Sequence, residues 1–123
     1  MKELNEISEK IIGSAFKVSN TLGAGFLEKV YQNALMIELA ENGLRPEKEK
    51  PITIKYKNKI VGEYYADILV NKQVIIEIKA VSSLNEIHQA QLLNYLKATN
   101  LKLGLLINFG TSKVQIKRMI NEK

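Results

Sequence analysis

The sequence predicts an α/β domain with a central mixed β-sheet flanked by helices, an α+β arrangement in the sense that its strands do not all run parallel. Three observations carry this. Hydrophobic periodicity along the chain gives helix, helix, two or three antiparallel strands, helix, strand and a weaker final strand. A helix between two strands implies a crossover, and so some parallel pairing within an otherwise antiparallel sheet. Finally, the stretch YYADILVNKQVIIEIKA, Tyr64 to Ala80, reads as two apolar strands joined by the polar turn Asn71-Lys72-Gln73. Within it Val74-Ile75-Ile76 is apolar on both faces, as a central, covered strand would be.

The elements follow in order. From about Glu3 to Thr21, apolar residues Leu4, Ile7, Ile11, Ala15, Val18 and Leu22 recur at steps of three and four and make one helical stripe. Gly23-Ala24-Gly25 breaks it, allowing a tight turn or a close backbone approach. A second helix is expected from about Phe26 to Glu41, with Leu27, Val30, Tyr31, Ala34 and Leu35 on its core face. Asn42-Gly43 is its stop signal. From Lys48 to Val61 apolar and basic residues alternate, and Lys57-Asn58-Lys59 reads as a turn into the next strand. The lysines of this stretch suit a solvated sheet face or guarded edge, or a surface that touches phosphates. A third helix is expected from about Leu84 to Thr99, with Ser83 as a plausible N-cap. Leu103 to Phe109 reads as a buried strand ended by Gly110, and Val114 to Met119 as the final strand.

The charges inside the apolar hairpin need a reason, because an unpaired buried charge costs several kcal/mol, on the order of its desolvation. Asp67 lies in the first strand, and Glu77 and Lys79 in the second. Side chains alternate across a strand, so Glu77 and Lys79 share a face. A three-residue turn pairs Val70 with Val74, which sets Asp67 opposite Glu77. The bland reading is an exposed amphipathic face carrying a surface ion pair. The sharper one is two carboxylates and an ammonium converging on one spot, where oxygen ligands suit a hard cation such as Mg²⁺ acting on phosphates. On the third helix, His88, Gln91 and Tyr95 fall within an arc of about 60° beside Leu84. This polar seam either faces a site or is a satisfied hydrogen-bonding cluster, the latter being favoured for His88.

Composition narrows the classes. The chain's 123 residues suffice for one domain, 1–123, with one core. It has no cysteine and a single histidine, which excludes disulfides, thiolate zinc and multi-histidine metal sites within the chain. No apolar run approaches a membrane span, and the polar start MKELNEISEK lacks a signal-peptide core. A cytoplasmic location without membrane attachment is the default expectation. The net charge of +5 is compatible with a polyanionic partner such as nucleic acid.

With Asp67, Glu77-Ile78-Lys79 and Gln91-Leu92-Leu93-Asn94-Tyr95 in place, the chain resembles the PD-(D/E)xK nuclease superfamily, and in its Gln-x-x-x-Tyr segment the RecB-like branch. Gly25-Phe26-Leu27-Glu28-Lys29-Val30-Tyr31 resembles the Gly-x-x-Glu-x-x-Tyr (GxxExxY) family assigned to that superfamily. The likeness covers nearly the whole chain, although Ala66 stands where the name-giving proline would precede Asp67. The resemblance implies a restriction-endonuclease-like core and Mg²⁺- or Mn²⁺-dependent hydrolysis of phosphodiesters in nucleic acid, most naturally DNA. It implies that Asp67 and Glu77 bind the cation with the Ile78 carbonyl, that Glu28 approaches it, and that Lys79 positions the attacking water. Gln91 and Tyr95 would orient the site or a phosphate, bordering one pocket together with Glu28. Lys55, Lys57 and Lys59 are the candidate nucleic-acid contacts beside the site. The alternative is a non-catalytic nucleic-acid- or protein-binding module on a retained nuclease fold. No separate DNA-reading domain is present, so a homodimer or protein partner is left open as a source of specificity.

Overall fold

The computed structural model of the protein describes residues 1–122. Its elements are α1 (Lys2–Leu22), α2 (Glu28–Glu41), β1 (Pro46–Tyr56), β2 (Lys59–Val70), β3 (Val74–Lys79), α3 (Glu86–Thr99), β4 (Leu103–Asn108) and β5 (Gln115–Ile120). The strands form a five-stranded sheet in sequence order, β1-β2-β3-β4-β5. Only β3 and β4 pair in parallel; the other neighbours are antiparallel. Helix α3 makes the crossover between the parallel strands, as a parallel connection requires.

The two faces are covered by different helices. Ile7, Ile11, Ala15 and Val18 of α1 and Tyr31, Leu35 and Leu39 of α2 pack on Ile68, Val70, Val74, Ile76 and Ile78. On the other face Leu92, Tyr95 and Leu96 of α3 pack on Leu69, Ile75 and Leu106. Successive residues of β3 thus serve opposite cores, which is why its sequence shows no polar alternation. The expected core face of α2 is partly wrong. Leu27 is 82% exposed and Val30 is exposed, while Gln32 and Leu39 are buried. The helix starts only at Glu28, with Leu27 as its extended N-cap.

Helix α3 is capped by Asn85, not Ser83. The Asn85 side chain accepts from the His88 N–H at 3.0 Å, and His88 Nδ1 accepts from the Asn85 N–H, completing a capping box. The histidine on the polar seam therefore has a structural duty, as the bland reading expects.

The Asn71-Lys72-Gln73 turn forms as expected, with Val70 opposite Val74. The β1–β2 hairpin closes through Lys57 and Asn58, both left-handed, which matches the twist of the strands. β2 pairs with β3 only over Ile68–Val70, so the outer part of the β1–β2 hairpin leaves the sheet as a two-stranded arm.

The end of β4 is locked to the segment after β3. Buried Asn108 accepts from Val81 N–H (2.9 Å) and Gly110 N–H (3.0 Å), and donates to the Val81 carbonyl (2.9 Å). Gly110 lies so close to this segment that an added Cβ would run into the Val81 and Ala80 backbones. Neither backbone can yield without breaking the Asn108 bonds. Gly110→Ala is therefore expected to lower the unfolding free energy by about 3 kcal/mol, the upper end of ordinary overpacking. Gly13, by contrast, is exposed within α1 with nothing near its Cβ position. Gly13→Ala should raise stability by about 0.5–1 kcal/mol. Urea denaturation of both variants checks the pair, and their opposite signs are the readout.

Candidate active site

The site begins where the β2–β3 ladder stops. One step beyond the Ile68–Ile76 pair the strands no longer exchange backbone bonds, and two side chains take over. The Asp67 N–H donates to Glu77 Oε2 at 2.9 Å, and the Ile78 N–H donates to Asp67 Oδ2 at 2.7 Å. Each carboxylate thus satisfies a backbone donor belonging to the opposite strand. Counting from Val70–Val74 sets these two residues opposite each other, as the sequence implies, and they interleave in the opening between the strands.

The other side of β2 shows how the opening is held. The Asp67 carbonyl accepts from Gln32 Nε2 at 2.9 Å, so a buried α2 amide takes up a group that a ladder would otherwise pair. Glu49 on β1 falls opposite Asp67 in the pairing count and is left-handed, with φ 55°. Around this point the facing of β2 slips by one residue. Ile68 serves the α1–α2 core, yet Ala66, two residues earlier, packs on the α3 side with Ile52. A regular strand would send both the same way. The slip turns the hairpin arm toward α3.

Electrostatics mark the pair as out of the ordinary. Glu77 is only 5% exposed. Burial, and then the charge of Asp67, raise its pKa from an ordinary 4.5 to about 8. Burial likewise raises Asp67, against the lowering effects of the Ile78 N–H and of Lys79. Lys79, next on the same face of β3, is the cation that both carboxylates feel. A buried and a half-buried carboxyl that repel each other, with Lys79 beside them, make an environment that a further cation relieves.

Glu28, at the start of α2, lies in a cavity of about 290 Å³ lined also by Lys29, Gln32, Glu49, Asp67 and Ile78. Its position follows from the loop before it. Gly23 and Gly25 have positive φ, and the buried Tyr31 hydroxyl donates to the Gly23 carbonyl (2.6 Å) and accepts from the Phe26 N–H (3.1 Å). The Tyr31 ring stacks on Phe109 at 4.7 Å. Glycine, glutamate and tyrosine of the Gly-x-x-Glu-x-x-Tyr segment thus have separate duties: the turn, the site, and the clamp between them. Glu28 adds negative charge felt by Asp67 and Glu77. Among the described residues, however, no three acidic or histidine side chains come close enough to hold a metal ion by themselves.

Gln91 and Tyr95 do not border the Glu28 cavity. They line a separate cleft between α3 and the hairpin arm, with Tyr64. One pocket shared by Glu28, Gln91 and Tyr95 is therefore corrected to two, approaching the carboxylate pair from different directions. Tyr95 still belongs to its surroundings: burial, and then the charge of Glu77, push its pKa up to about 12. Lys55, Lys57 and Lys59 stand at the tip of the arm, about 20 Å or more along the strands from Asp67 and Glu49 at the usual rise per residue. Their expected place beside the site is corrected, and of the lysines singled out only Lys79 adjoins the carboxylates. Gln32 and Glu49 escaped the sequence reading. Gln32 carried a faint signal, lying one turn after Glu28 on the same side of α2. Glu49 carried none, because its backbone conformation is set by how β1 crosses the slip in β2.

A family model for the PD-(D/E)XK nuclease superfamily matches residues 5–119. The chain belongs to that superfamily. No curated protein matches it at a significant level. Among solved structures it resembles one titled "Crystal structure of SSO0001", with a TM-score of 0.60 and 22% identity over 76% of this chain. That likeness shows a shared fold, the restriction-endonuclease-like mixed sheet flanked by helices. This chain spans about half of the other, the matched part covering 49% of it.

The raised carboxylate pKa values have a consequence for metal-free protein. Between about pH 4.5 and about 8 the folded chain keeps a proton on Glu77 that the unfolded chain has lost. Stability therefore falls as pH rises through that window and is greatest below it. In EDTA, calorimetry should show the melting temperature dropping from pH 5 to pH 8. Glu77→Gln, neutral throughout and still able to accept from the Asp67 N–H, should flatten this dependence. At pH 8 it should melt about 4 °C or more above wild type, the shift expected of roughly 1 kcal/mol in a domain of this size.

Proposed function

We propose that this chain is a divalent-metal-dependent nuclease of the GxxExxY family, in the RecB-like branch, that hydrolyses phosphodiester bonds in nucleic acid, most naturally DNA. One observation carries the reading. Asp67 and Glu77 interleave across the β2–β3 opening, and Lys79 lies two residues along β3 on the same face.

The donor set suits a hard cation. Asp67 Oδ2 and Glu77 Oε2 each accept one backbone N–H, which leaves the other oxygen of each carboxylate for a ligand. Mg²⁺ keeps several waters and needs only one or two carboxylates besides phosphate oxygens. Asp67 and Glu77, with the Ile78 carbonyl, would hold it without a third acidic side chain. Bound there, the ion would polarise the phosphate and lower the pKa of a bound water. The chain's own residues supply the rest. The Lys79 ammonium holds the attacking water and offsets charge on the phosphate. Glu28, which lines the same cavity as Asp67, would accept hydrogen bonds from water held there. Gln32 keeps the Asp67 backbone fixed, so that its carboxylate stays in the opening.

Asp67→Ala, Glu77→Ala and Lys79→Ala should each reduce cleavage of plasmid and oligonucleotide substrates in Mg²⁺ or Mn²⁺ by at least about 100-fold, the lower end of what one acid–base or charge-stabilising group contributes. Lys79→Ala alone should still show a Mn²⁺-dependent rise in melting temperature, because its ammonium is not a ligand. A wild type that neither cleaves nor is stabilised by Mn²⁺ would instead indicate a non-catalytic binding module. Cleavage surviving Glu77→Ala would show that the site lies elsewhere.

A further inference from the structure

The cleft between α3 and the hairpin arm has about 270 Å³ of space and is lined by Ile54, Tyr64, Ile87, Gln91, Asn94 and Tyr95. No charged side chain lines it, so nothing there neutralises a phosphate. What it offers is the face of an aromatic ring and two amides. The Tyr64 ring is 48% exposed and lies 5.6 Å from the Tyr95 ring, tilted by 44°. The Gln91 and Asn94 side chains make no hydrogen bond to any described residue, and so present donors and acceptors toward a guest. Its volume falls just below the range of about 300–1,000 Å³ typical for drug-sized ligands, which suits a smaller, planar molecule.

The cleft is separate from the Glu28 cavity, but Tyr95 on its wall lies near enough to the carboxylate pair for its phenol to feel the charges of Glu77 and Asp67. The facing slip in β2 brings Tyr64 here: with Ala66 turned toward α3, Tyr64, two residues further out, follows on the same side. A polynucleotide with a phosphate at the carboxylate pair would have the neutral part of a neighbouring nucleotide at this cleft.

We propose that this cleft holds one unpaired nucleobase, stacked on Tyr64 and hydrogen-bonded at its edge by Gln91 and Asn94, so that the substrate is single-stranded nucleic acid or a frayed end. This rests on the nuclease reading for the neighbouring phosphate. A base within a duplex is already stacked and paired and cannot enter without being extruded. An aromatic face beside free amides matches the chemistry by which proteins hold single strands, with stacking tolerant of sequence.

The test compares two labelled strands of equal length and charge, oligothymidylate and an abasic sugar–phosphate strand, by fluorescence anisotropy in EDTA. Wild type should bind oligothymidylate at least about five-fold more tightly, the lower end of what one stacked base contributes. Tyr64→Leu, which keeps apolar contact with Tyr95, should remove that preference and leave abasic binding unchanged. Asn94→Ala, at an exposed position that should not disturb folding, should reduce it with the same selectivity. Equal binding of both strands by wild type overturns the proposal, as does an equal loss on both strands in Asn94→Ala. Tighter binding of a labelled duplex of the same length than of oligothymidylate also overturns it. The two readings separate in a parallel Mn²⁺ cleavage assay. A wild type that cleaves but ignores the bases overturns the cleft alone. One that prefers bases but never cleaves supports the cleft and overturns the nuclease.

Discussion

Two carboxylates standing in for a β-ladder are the constraint on which the rest of this structure depends. At Asp67 and Glu77 the β2 and β3 backbones stop bonding to each other, and each strand offers an N–H to a side chain of the other. Hydrogen bonds satisfy the buried donors, so the opening between the strands is not a defect. The exchange nonetheless sets two carboxyl groups close together, one of them buried, and burial with the neighbouring charge keeps a proton on Glu77 well above the ordinary carboxylate range. Stability is given up at one point of the sheet in return for a site where positive charge is wanted.

The surrounding fold makes that concession tolerable. β3 is covered on both faces, by α1 and α2 on one side and by α3 on the other. Its parallel pairing with β4 continues through Glu77, Ile78 and Lys79, so the strand carrying the charges stays fixed although β2 has let go of it. Asn108 and Gly110 hold the chain beyond β3 against the end of β4. From the other direction the Tyr31 hydroxyl ties down the glycine turn that delivers Glu28, and Gln32 holds the freed Asp67 carbonyl. Rigid elements on every side keep the functional groups in place, which a site made only of loops would not achieve.

The hairpin arm takes its direction from the geometry of the opening. One residue of slip at Asp67, opposite left-handed Glu49, sends Ala66 and Tyr64 toward α3 and encloses an uncharged cleft beside the carboxylates. On the proposed reading, phosphate and base would bind at two separate places, the carboxylate pair and the cleft. The basic tip, with Lys55, Lys57 and Lys59, stands about 20 Å or more out along the arm from the carboxylates. Superfamily membership is consistent with this division but does not dictate it, since a shared fold leaves the substrate open.

Much of the architecture was legible in the sequence because it rests on local rules. The α1 stripe, the three-residue turn at Asn71, the fully apolar β3 and the crossover helix between strands each follow from periodicity and turn chemistry. The Asp67–Glu77 juxtaposition followed by counting from that turn. The α2 core face, the N-cap of α3 and the place of the lysines were not so determined. Exposed Leu27 and buried Gln32 depend on which side of α2 meets the sheet, and Asn85 and Ser83 are both acceptable caps until His88 completes one box. The separation of Glu28 from Gln91 and Tyr95 depends on which helix covers which face of the sheet. The slip at Asp67 and the left-handed Glu49 could come only from the tertiary structure. Alternation along a strand assumes that its neighbour continues, and here β2 loses β3 while keeping β1. The sequence by itself determined the residues available for chemistry, their strands and the Asp67–Glu77 pairing, because these follow from alternation and turn length; packing of the arm against α3 decided that Tyr64 meets Tyr95 and what space lies between arm and helix.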